Sequence, residues 1–556
     1  MTEVVRISGL PGCGKTTRLM ELVAEEGRRP TNIYYVTFSR SAVEETEEEL
    51  LNIYADADAD VDTDAVESAA RTFHSLALRQ VRGELFESLS DQIISPESTP
   101  DLYERFAERW GLRFDRNAAD PLRADDTGGE VPDGNRLFDV HAQLRLRHLP
   151  PEKCRQQPIE LPRGVERTTK MLEAWEKFKA AGRPEEGLRL FEHHDYVHEC
   201  VQRGYAPDAD VLFIDEFQDL SPLEYKLFKT WRDSGDLDRI YIAGDANQSI
   251  YGSFRAARPE FFRETPVDRE EELRASYRCP AEIVATARQI HATDFRSQSS
   301  GGRVGHVTLP NADALAASVA DAVDEHSETD GNTLFLLTRT NWQVAQLTKS
   351  LREAGIPHTR LGRRSSLWDD EMGRLLYALR GLRDGTPILA KGAKALLNTA
   401  EGQRGRMFGA DDAPIKWAGI DLEDSALEAS DVWTAFPDAR EAADIIDLLD
   451  IKEWRAEELH GALGRTDGID PQDVKIGTIH AAKGLEAAAV MLFAESSPSV
   501  LEAYHDGQAA EEHRLYFVGA TRASAELRIV HDFFDADTFP LFEAFERPEN
   551  PAEVVV

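Results

Sequence analysis

The sequence predicts an α/β protein built on two cores with parallel sheets, and three observations carry that expectation. Strand-like apolar runs alternate with stretches of helical period, the pattern that parallel sheets require. These runs fall into two sets, before and after about residue 280. A glycine-rich segment, GLPGCGKTT (9–17), lies between the first strand-like run and the first helical one. At 556 residues the chain is longer than one core can serve, so several domains are expected.

In chain order, the strand-like runs are Val4–Ser8, IYYVTF (33–38), VLFID (211–215), IYIAGD (240–245), TLFLLTR (333–339), VKIGTIH (474–480), AVMLFA (489–494) and ELRIVH (526–531). The stretch NWQVAQLTKSLREAG (341–355) has helical period and ends on a glycine suited to a C-terminal cap. TTKMLEAWEKFKAAG (168–182) reads as another helix, inside an insertion whose polar stretch 117–135 reads as a loop. The expected organisation is a first core at 1–80 and 196–279, interrupted by a helical insertion at 81–195. A second core at 280–365 and 471–556 carries a shorter insertion at 366–470.

The segment GLPGCGKTT matches the phosphate-binding pattern G-x-x-x-x-G-K-[ST]. Gly9, Leu10, Pro11, Gly12, Cys13 and Gly14 would wrap their backbone N–H groups around phosphate oxygens at a helix N-terminus. Lys15 would reach the β- and γ-phosphates, and the Thr16 hydroxyl would bind Mg²⁺, with Thr17 completing the loop. The run VLFID ends on two adjacent carboxylates, Asp215 and Glu216, with Asp219 close behind. Paired like charges at the end of a buried strand are costly unless a cation answers them. Mg²⁺ and Lys15 are those cations. Asp215 is then a metal partner, direct or through water, and Glu216 a general base for an attacking water. This much specifies a P-loop nucleotide hydrolase.

Composition limits the remaining choices. No run of about 18 apolar residues occurs, so no membrane span is expected. Four scattered cysteines, Cys13, Cys154, Cys200 and Cys279, suggest neither a disulfide framework nor a zinc site, and the protein is expected to be cytoplasmic. Lys+Arg 64 against Asp+Glu 101 gives a net charge of −37, with only 14 of the bases lysine. The acids are spread along the chain, which points to a salt-rich, halophile-like medium rather than an acidic tail.

Seven further segments, in order around the P-loop, resemble one family. They are VTFSRSA (36–42), TFHSLA (72–77), DEFQD (215–219), GDANQSIYGSFR (244–255), LRASYR (273–278), GTIHAAKGLE (477–486) and YFVGATRA (516–523). Their order is similar to that of superfamily-one DNA helicases of the UvrD/Rep type. The resemblance implies two RecA-like cores, ATP and Mg²⁺ as cofactors, and 3′-to-5′ stepping on single-stranded DNA. It implies that Gln248 bridges the γ-phosphate or its attacking water. Arg278 and Arg522 would meet the γ-phosphate from the second core, Tyr277 would stack on adenine, and Glu486 would bind the ribose. Phe38, Phe73, Tyr251 and Phe254 would line the DNA channel, with Thr72, His74, Arg255, Thr478 and His480 as polar contacts.

The partners implied are single-stranded and 3′-tailed duplex DNA, with a protein loading partner allowed for. Three departures from the family pattern bear on activity. The P-loop starts at residue 9, with no room for an upstream adenine-reading glutamine motif. The second insertion is short, so an alternative is a translocase that remodels protein–DNA complexes with little unwinding. The chain ends too soon after Arg522 for an added nuclease domain.

Overall fold

The central strands of both large sheets are buried on both faces, which is why they read as near-continuous apolar runs rather than as alternating ones. The structure is a computed structural model that describes residues 2–57, 62–116, 131–182, 188–329, 331–362, 368, 370–400 and 425–542. The chain divides into two compact units: Met1–Gly301 with Tyr504–Val518, and Gly302–Ala503 with Gly519–Val556.

The first unit holds β1 (Glu3–Gly9), β2 (Ile33–Thr37), β3 (Ala70–Thr72), β4 (Val211–Ile214), β5 (Arg239–Gly244) and β6 (Arg269–Leu273). They form one parallel sheet in the order β3-β2-β4-β5-β1-β6. Alternate residues face opposite sides. Val5, Ile7, Tyr35, Phe213 and Tyr241 pack with Leu19, Met20 and Val23 of the helix Lys15–Glu26. Val36, Leu212, Ile214 and Ile242 pack on the other face with Phe73, Leu227 and Trp231. Between β3 and β4 runs a helical insertion, including Phe73–Leu85, Pro100–Arg109, Asp133–Leu146, Val165–Ala181 and His193–Arg203. Asp133–Leu146 begins inside the stretch read as a loop from sequence; the rest of that stretch, 117–130, lies outside the described residues. A short ladder, β7 (Ala275–Ser276) with β8 (Arg296–Ser297), follows β6.

The second unit's sheet contains β9 (Arg303–Thr308), β10 (Leu334–Thr338) and β11 (Thr359–Arg360). Its insertion holds a small antiparallel ladder, β12 (Ile388–Leu389) with β13 (Ala426–Leu427), among helices such as Asp370–Asp384 and Glu453–Gly464. The sheet is completed by β14 (Val474–Thr478), β15 (Ala487–Phe493) and β16 (Ala523–His531), in the parallel order β11-β14-β10-β15-β16-β9. The predicted helix at 341–355 appears as Asn341–Glu353, with Gly355 at φ 68°, a conformation that favours glycine. Two RecA-like P-loop cores with parallel sheets, each carrying a mainly helical insertion, is therefore the fold. Among the described residues, no helix is long and apolar enough to cross a membrane.

Candidate functional site

The phosphate loop joins β1 to the helix Lys15–Glu26, and its shape depends on two glycines. Gly12 (φ 66°) and Gly14 (φ 80°) adopt left-handed backbone. Gly12 also has no room for a side chain: a Cβ there would lie 2.4 Å from Arg278 Cβ and 2.8 Å from Ser276 Oγ. The Tyr277 amide donates to Gly12 O at 2.8 Å, so the segment Ser276–Arg278 lies directly on the loop. Lys15 is nearly buried, and its Nζ donates to Gly9 O (2.9 Å) and Leu10 O (3.2 Å). Its ammonium is thus tethered at the mouth of the cradle. Burial pushes the Cys13 thiol up, so it stays protonated beside the loop. The Thr17 Cβ lies 4.0 Å from the Cβ position of Gly14.

Next to this loop β4 delivers the acids. Thr16 Oγ1 donates to Asp215 Oδ2 at 2.8 Å, the Tyr35 hydroxyl reaches the same oxygen at 3.4 Å, and the Glu216 amide donates to Asp215 Oδ1 at 2.8 Å. Burial, then the charge of Glu216, raises the Asp215 carboxyl above its ordinary value. An all-oxygen pair of one hydroxyl and one buried carboxylate fits Mg²⁺ chemistry. Glu216 itself sits at φ 53°, a strained conformation for a residue with a side chain, costing about 1–3 kcal/mol, and such strain clusters at active sites. Its carboxylate accepts from Gln218 Nε2. Gln248 is buried, and its Nε2 donates to Asp245 Oδ2 at 2.9 Å.

Around the loop, Tyr277 is 72% exposed, the most exposed large aromatic among the described residues. In the second unit, Glu486 is exposed, and its carbonyl accepts from Asn332 Nδ2 at 2.7 Å. Arg522 is buried and donates from Nη1 to Leu485 O at 3.1 Å. Arg278 corrects an expectation: it belongs to the first unit and packs on Gly12, rather than arriving from the second core. The physical reason is the ladder of β7 with β8 and the Tyr277–Gly12 hydrogen bond, which fix this segment to the P-loop's own unit.

The segments expected to meet DNA divide into two groups. Phe38 is partly buried under the Arg255 guanidinium, 4.8 Å from its ring centre, and Arg255 also donates to Glu224 Oε1 at 3.0 Å. His74 Nδ1 lies 3.7 Å from the same carboxylate, and burial pushes this imidazole down to about 4, so it is neutral at pH 7. Phe254 is 44% exposed, at the end of β5's connection, while Tyr251 is partly buried at the start of the short helix Gly252–Arg255. His480 and Thr478 flank the end of β14, and Thr478 caps the turn Ile479–Ala482 by accepting from the Ala481 amide at 3.4 Å.

One residue departs from its expected role. Phe73 is a core residue: 2% exposed, it stacks on Trp231 with ring centres 5.6 Å apart and planes 6° from parallel, so no base can reach it. Thr72 beside it is half-buried and caps the helix Phe73–Leu85, its hydroxyl accepting from the Ser75 amide at 3.2 Å. Phe73→Ala is accordingly expected to lower stability by about 3–5 kcal/mol, read by urea unfolding, without a specific loss of DNA affinity in the folded fraction.

Comparison with known proteins bears on this arrangement. Residues 1–269 match the family model of the UvrD/REP helicase N-terminal domain, and residues 434–532 that of the UvrD-like helicase C-terminal domain. The chain belongs to the UvrD/Rep helicase family. It is 26% identical over 577 residues to the "ATP-dependent DNA helicase UvrD2" of Mycobacterium tuberculosis (strain ATCC 25618 / H37Rv), covering 93% of this chain and 75% of that one. It is 25% identical over 386 residues to "ATP-dependent DNA helicase UvrD1" of the same strain, covering 63% of this chain and 47% of that one.

Within this UvrD/Rep-type chain, the structure adds residues for which the sequence predicts no role. Gln218 is fully buried and joins the two acid clusters: its Nε2 meets Glu216, and its Oε1 accepts from the Asp245 amide at 2.9 Å. Asp245 follows β5 as Asp215 follows β4, and these strands are parallel neighbours. Burial raises the Asp245 carboxyl, against the pull of Lys15. The signal for Asp245 is present in the run IYIAGD, an apolar strand ending on an acid. Gln218 lies inside the segment DEFQD, but its contact with Asp245 has no local signature, since it arises from the approach of two separate turns.

Proposed function

We propose that this protein is an ATP-dependent DNA helicase that translocates 3′ to 5′ on single-stranded DNA and opens 3′-tailed duplexes. The observation that carries this reading is the Thr16–Asp215 hydrogen bond of 2.8 Å beside the strained Glu216, at the mouth of the phosphate loop. Thr16 and Asp215 would hold Mg²⁺, which when bound neutralises charge on the β- and γ-phosphate oxygens. Lys15 exchanges its carbonyl partners for phosphate oxygens, and the amides of Gly12–Lys15 line the same cradle. Glu216, aimed by Gln218, accepts the proton of the attacking water. Gln248, held by Asp245, senses the γ-phosphate. Arg278 and Arg522 supply guanidinium charge to the transferring group, a contribution worth about 10³–10⁵ in rate where it has been isolated.

Tyr277 offers its exposed face to the adenine and Glu486 its carboxylate to the ribose. Tyr277→Ala is expected to raise KM for ATP about tenfold with kcat little changed, since a lost stacking contact removes about 1–3 kcal/mol of binding. Phe38, Tyr251 and Phe254 serve the DNA strand by stacking, with Arg255, His74, Thr478 and His480 as polar neighbours. At a net charge of −37, stacking carries more of the affinity than counterion release does, and the salt-rich medium inferred from composition favours that balance.

The test is strand separation of 3′-tailed, 5′-tailed and blunt duplexes in molar KCl, with ATP turnover followed in parallel. Opening of the 3′-tailed duplex alone is the expected result. Preferential opening of the 5′-tailed substrate overturns the polarity. Turnover stimulated by single strands without any opening assigns the protein to the translocase class instead.

A further inference from the structure

The segment that carries Tyr251 and Phe254 is held by a helix distant in sequence. The Ser253 amide donates to Glu511 Oε1 at 3.1 Å, and the Ser253 hydroxyl donates to Glu511 Oε2 at 3.1 Å. One turn later on the same helix, Arg514 Nε donates to Ser249 O at 2.8 Å. Gly252 permits the closure: a Cβ there would stand 3.0 Å from Glu511 Oε2. On the opposite side, Gln143 of the helical insertion donates from Nε2 to Phe254 O at 2.6 Å.

The gripping helix is Ala509–Ala520, and it runs through Thr521 and Arg522 directly into β16. Its residues up to Val518 pack with the first unit, whereas from Gly519 onward the chain belongs to the second. Rise along a helix is about 1.5 Å per residue, so Glu511 and Arg522 are joined by roughly 16 Å of stiff chain. A bidentate carboxylate on an amide and a hydroxyl is charge-assisted and directional, unlike a loose surface pair. A surface carboxylate in the first turn of a helix needs no partner to be stabilised there. Closing on Ser253 is therefore an additional interaction, made across 258 residues of sequence.

We infer that Glu511 is a positioning residue that ties the aromatic DNA segment to the helix presenting Arg522, so that strand engagement and arginine placement shift together. This deepens the proposed function and rests on it. Neither Glu511 nor Ser253 touches the nucleotide cradle, so their loss leaves hydrolysis without DNA intact and removes its stimulation.

The experiment compares wild type, Glu511→Ala, Glu511→Gln and Ser253→Ala by ATP turnover with and without single-stranded DNA, and by amide hydrogen exchange of the 249–255 segment. Glu511→Ala is expected to keep basal turnover, lose about tenfold of the DNA stimulation, and expose the 249–255 amides to about tenfold faster exchange, the scale of one lost charge-assisted hydrogen bond. Glu511→Gln keeps one acceptor for the Ser253 amide but loses the charge and the second acceptor, and is expected to fall between wild type and Glu511→Ala in both. Unchanged exchange in Glu511→Ala overturns the grip. Faster exchange with stimulation intact overturns the coupling. Should wild type show no DNA-stimulated turnover, the helicase reading fails first; the exchange comparison then still decides whether Glu511 holds the segment.

Discussion

Glu216→Gln is expected to slow ATP hydrolysis about 10²- to 10⁴-fold, the range that a positioned general base contributes, while nucleotide affinity is preserved. The substitution keeps volume and leaves an acceptor oxygen, so Gln218 retains a partner, and the left-handed backbone at this position is unaltered. What disappears is the capacity to take a proton from water. Removing the negative charge also relieves one cause of the raised Asp215 carboxyl, so Asp215 ionises more readily and the Thr16–Asp215 pair is kept ready for a divalent ion. Binding and chemistry therefore separate. A fluorescent nucleotide titration should superimpose on wild type while steady-state turnover collapses. Turnover at the wild-type rate would remove Glu216 from the mechanism altogether.

That separation is legible in the sequence because the chemistry sits at the ends of apolar strands. VLFID cannot be mistaken for a surface segment, and two carboxylates at its end demand a cation. The central strands of both sheets are visible for the same reason. The strands without a sequence signal lie at or near sheet edges. β6, REEEL, pairs only with β1 and carries three glutamates, a charged edge that discourages further pairing but erases the hydrophobic signal. β3 has three residues and β9 is only half-buried, so neither has a pattern to detect. Aromatic residues in motifs are ambiguous in principle. Phe38 and Phe73 lie 6.0 Å apart, yet one is partly open and the other belongs to the core with Trp231. Composition cannot distinguish them, because both belong to one cluster and differ only in depth, Phe73 lying against Trp231 and Phe38 at the rim. The resemblance brings Arg278 from the second core, although the expected boundary at 279 already leaves it in the first; the hydrogen bond from Tyr277 to Gly12 that fixes it there joins segments 265 residues apart and has no local signature.

Lys179→Ala is expected to have the largest effect on stability, about 3–5 kcal/mol, because it strands buried carboxylates. Lys179 is 2% exposed, and its Nζ contacts Asp195 Oδ2 (2.7 Å), Glu192 Oε2 (2.8 Å) and Glu176 Oε1 (3.3 Å). Arg145 completes the cluster through Asp195 Oδ1 at 2.6 Å, and His141 lies between Glu176 (2.6 Å) and Glu192 (3.1 Å). Three carboxylates face two permanent cations, so neutrality requires a protonated His141. Burial opposes that charge, yet Glu192 and then Glu176 outweigh it, and the imidazole is raised above its ordinary 6.5. The sign follows: this stabilisation is complete below about 6.5 and is lost as pH rises through the raised folded value. Glu176 and Glu192 are held far below their ordinary range, mainly by Lys179 and His141 against the opposing effect of burial, so their contribution is constant across the same window. Urea unfolding should therefore show wild-type stability falling on the alkaline side, with the slope flattened in His141→Gln. The consequence reaches the 249–255 segment, because His141 shares the helix Asp133–Leu146 with Gln143, whose amide holds Phe254 O. The helix carrying Asp195, His193–Arg203, packs against Phe73–Leu85 and Pro222–Ser234 of the motor unit, so loosening the cluster loosens the support under the aromatic segment. A Lys179→Met variant sharpens the test. It fills the volume without the charge, so if stability recovers with Met, lost packing rather than stranded charge explains the alanine result.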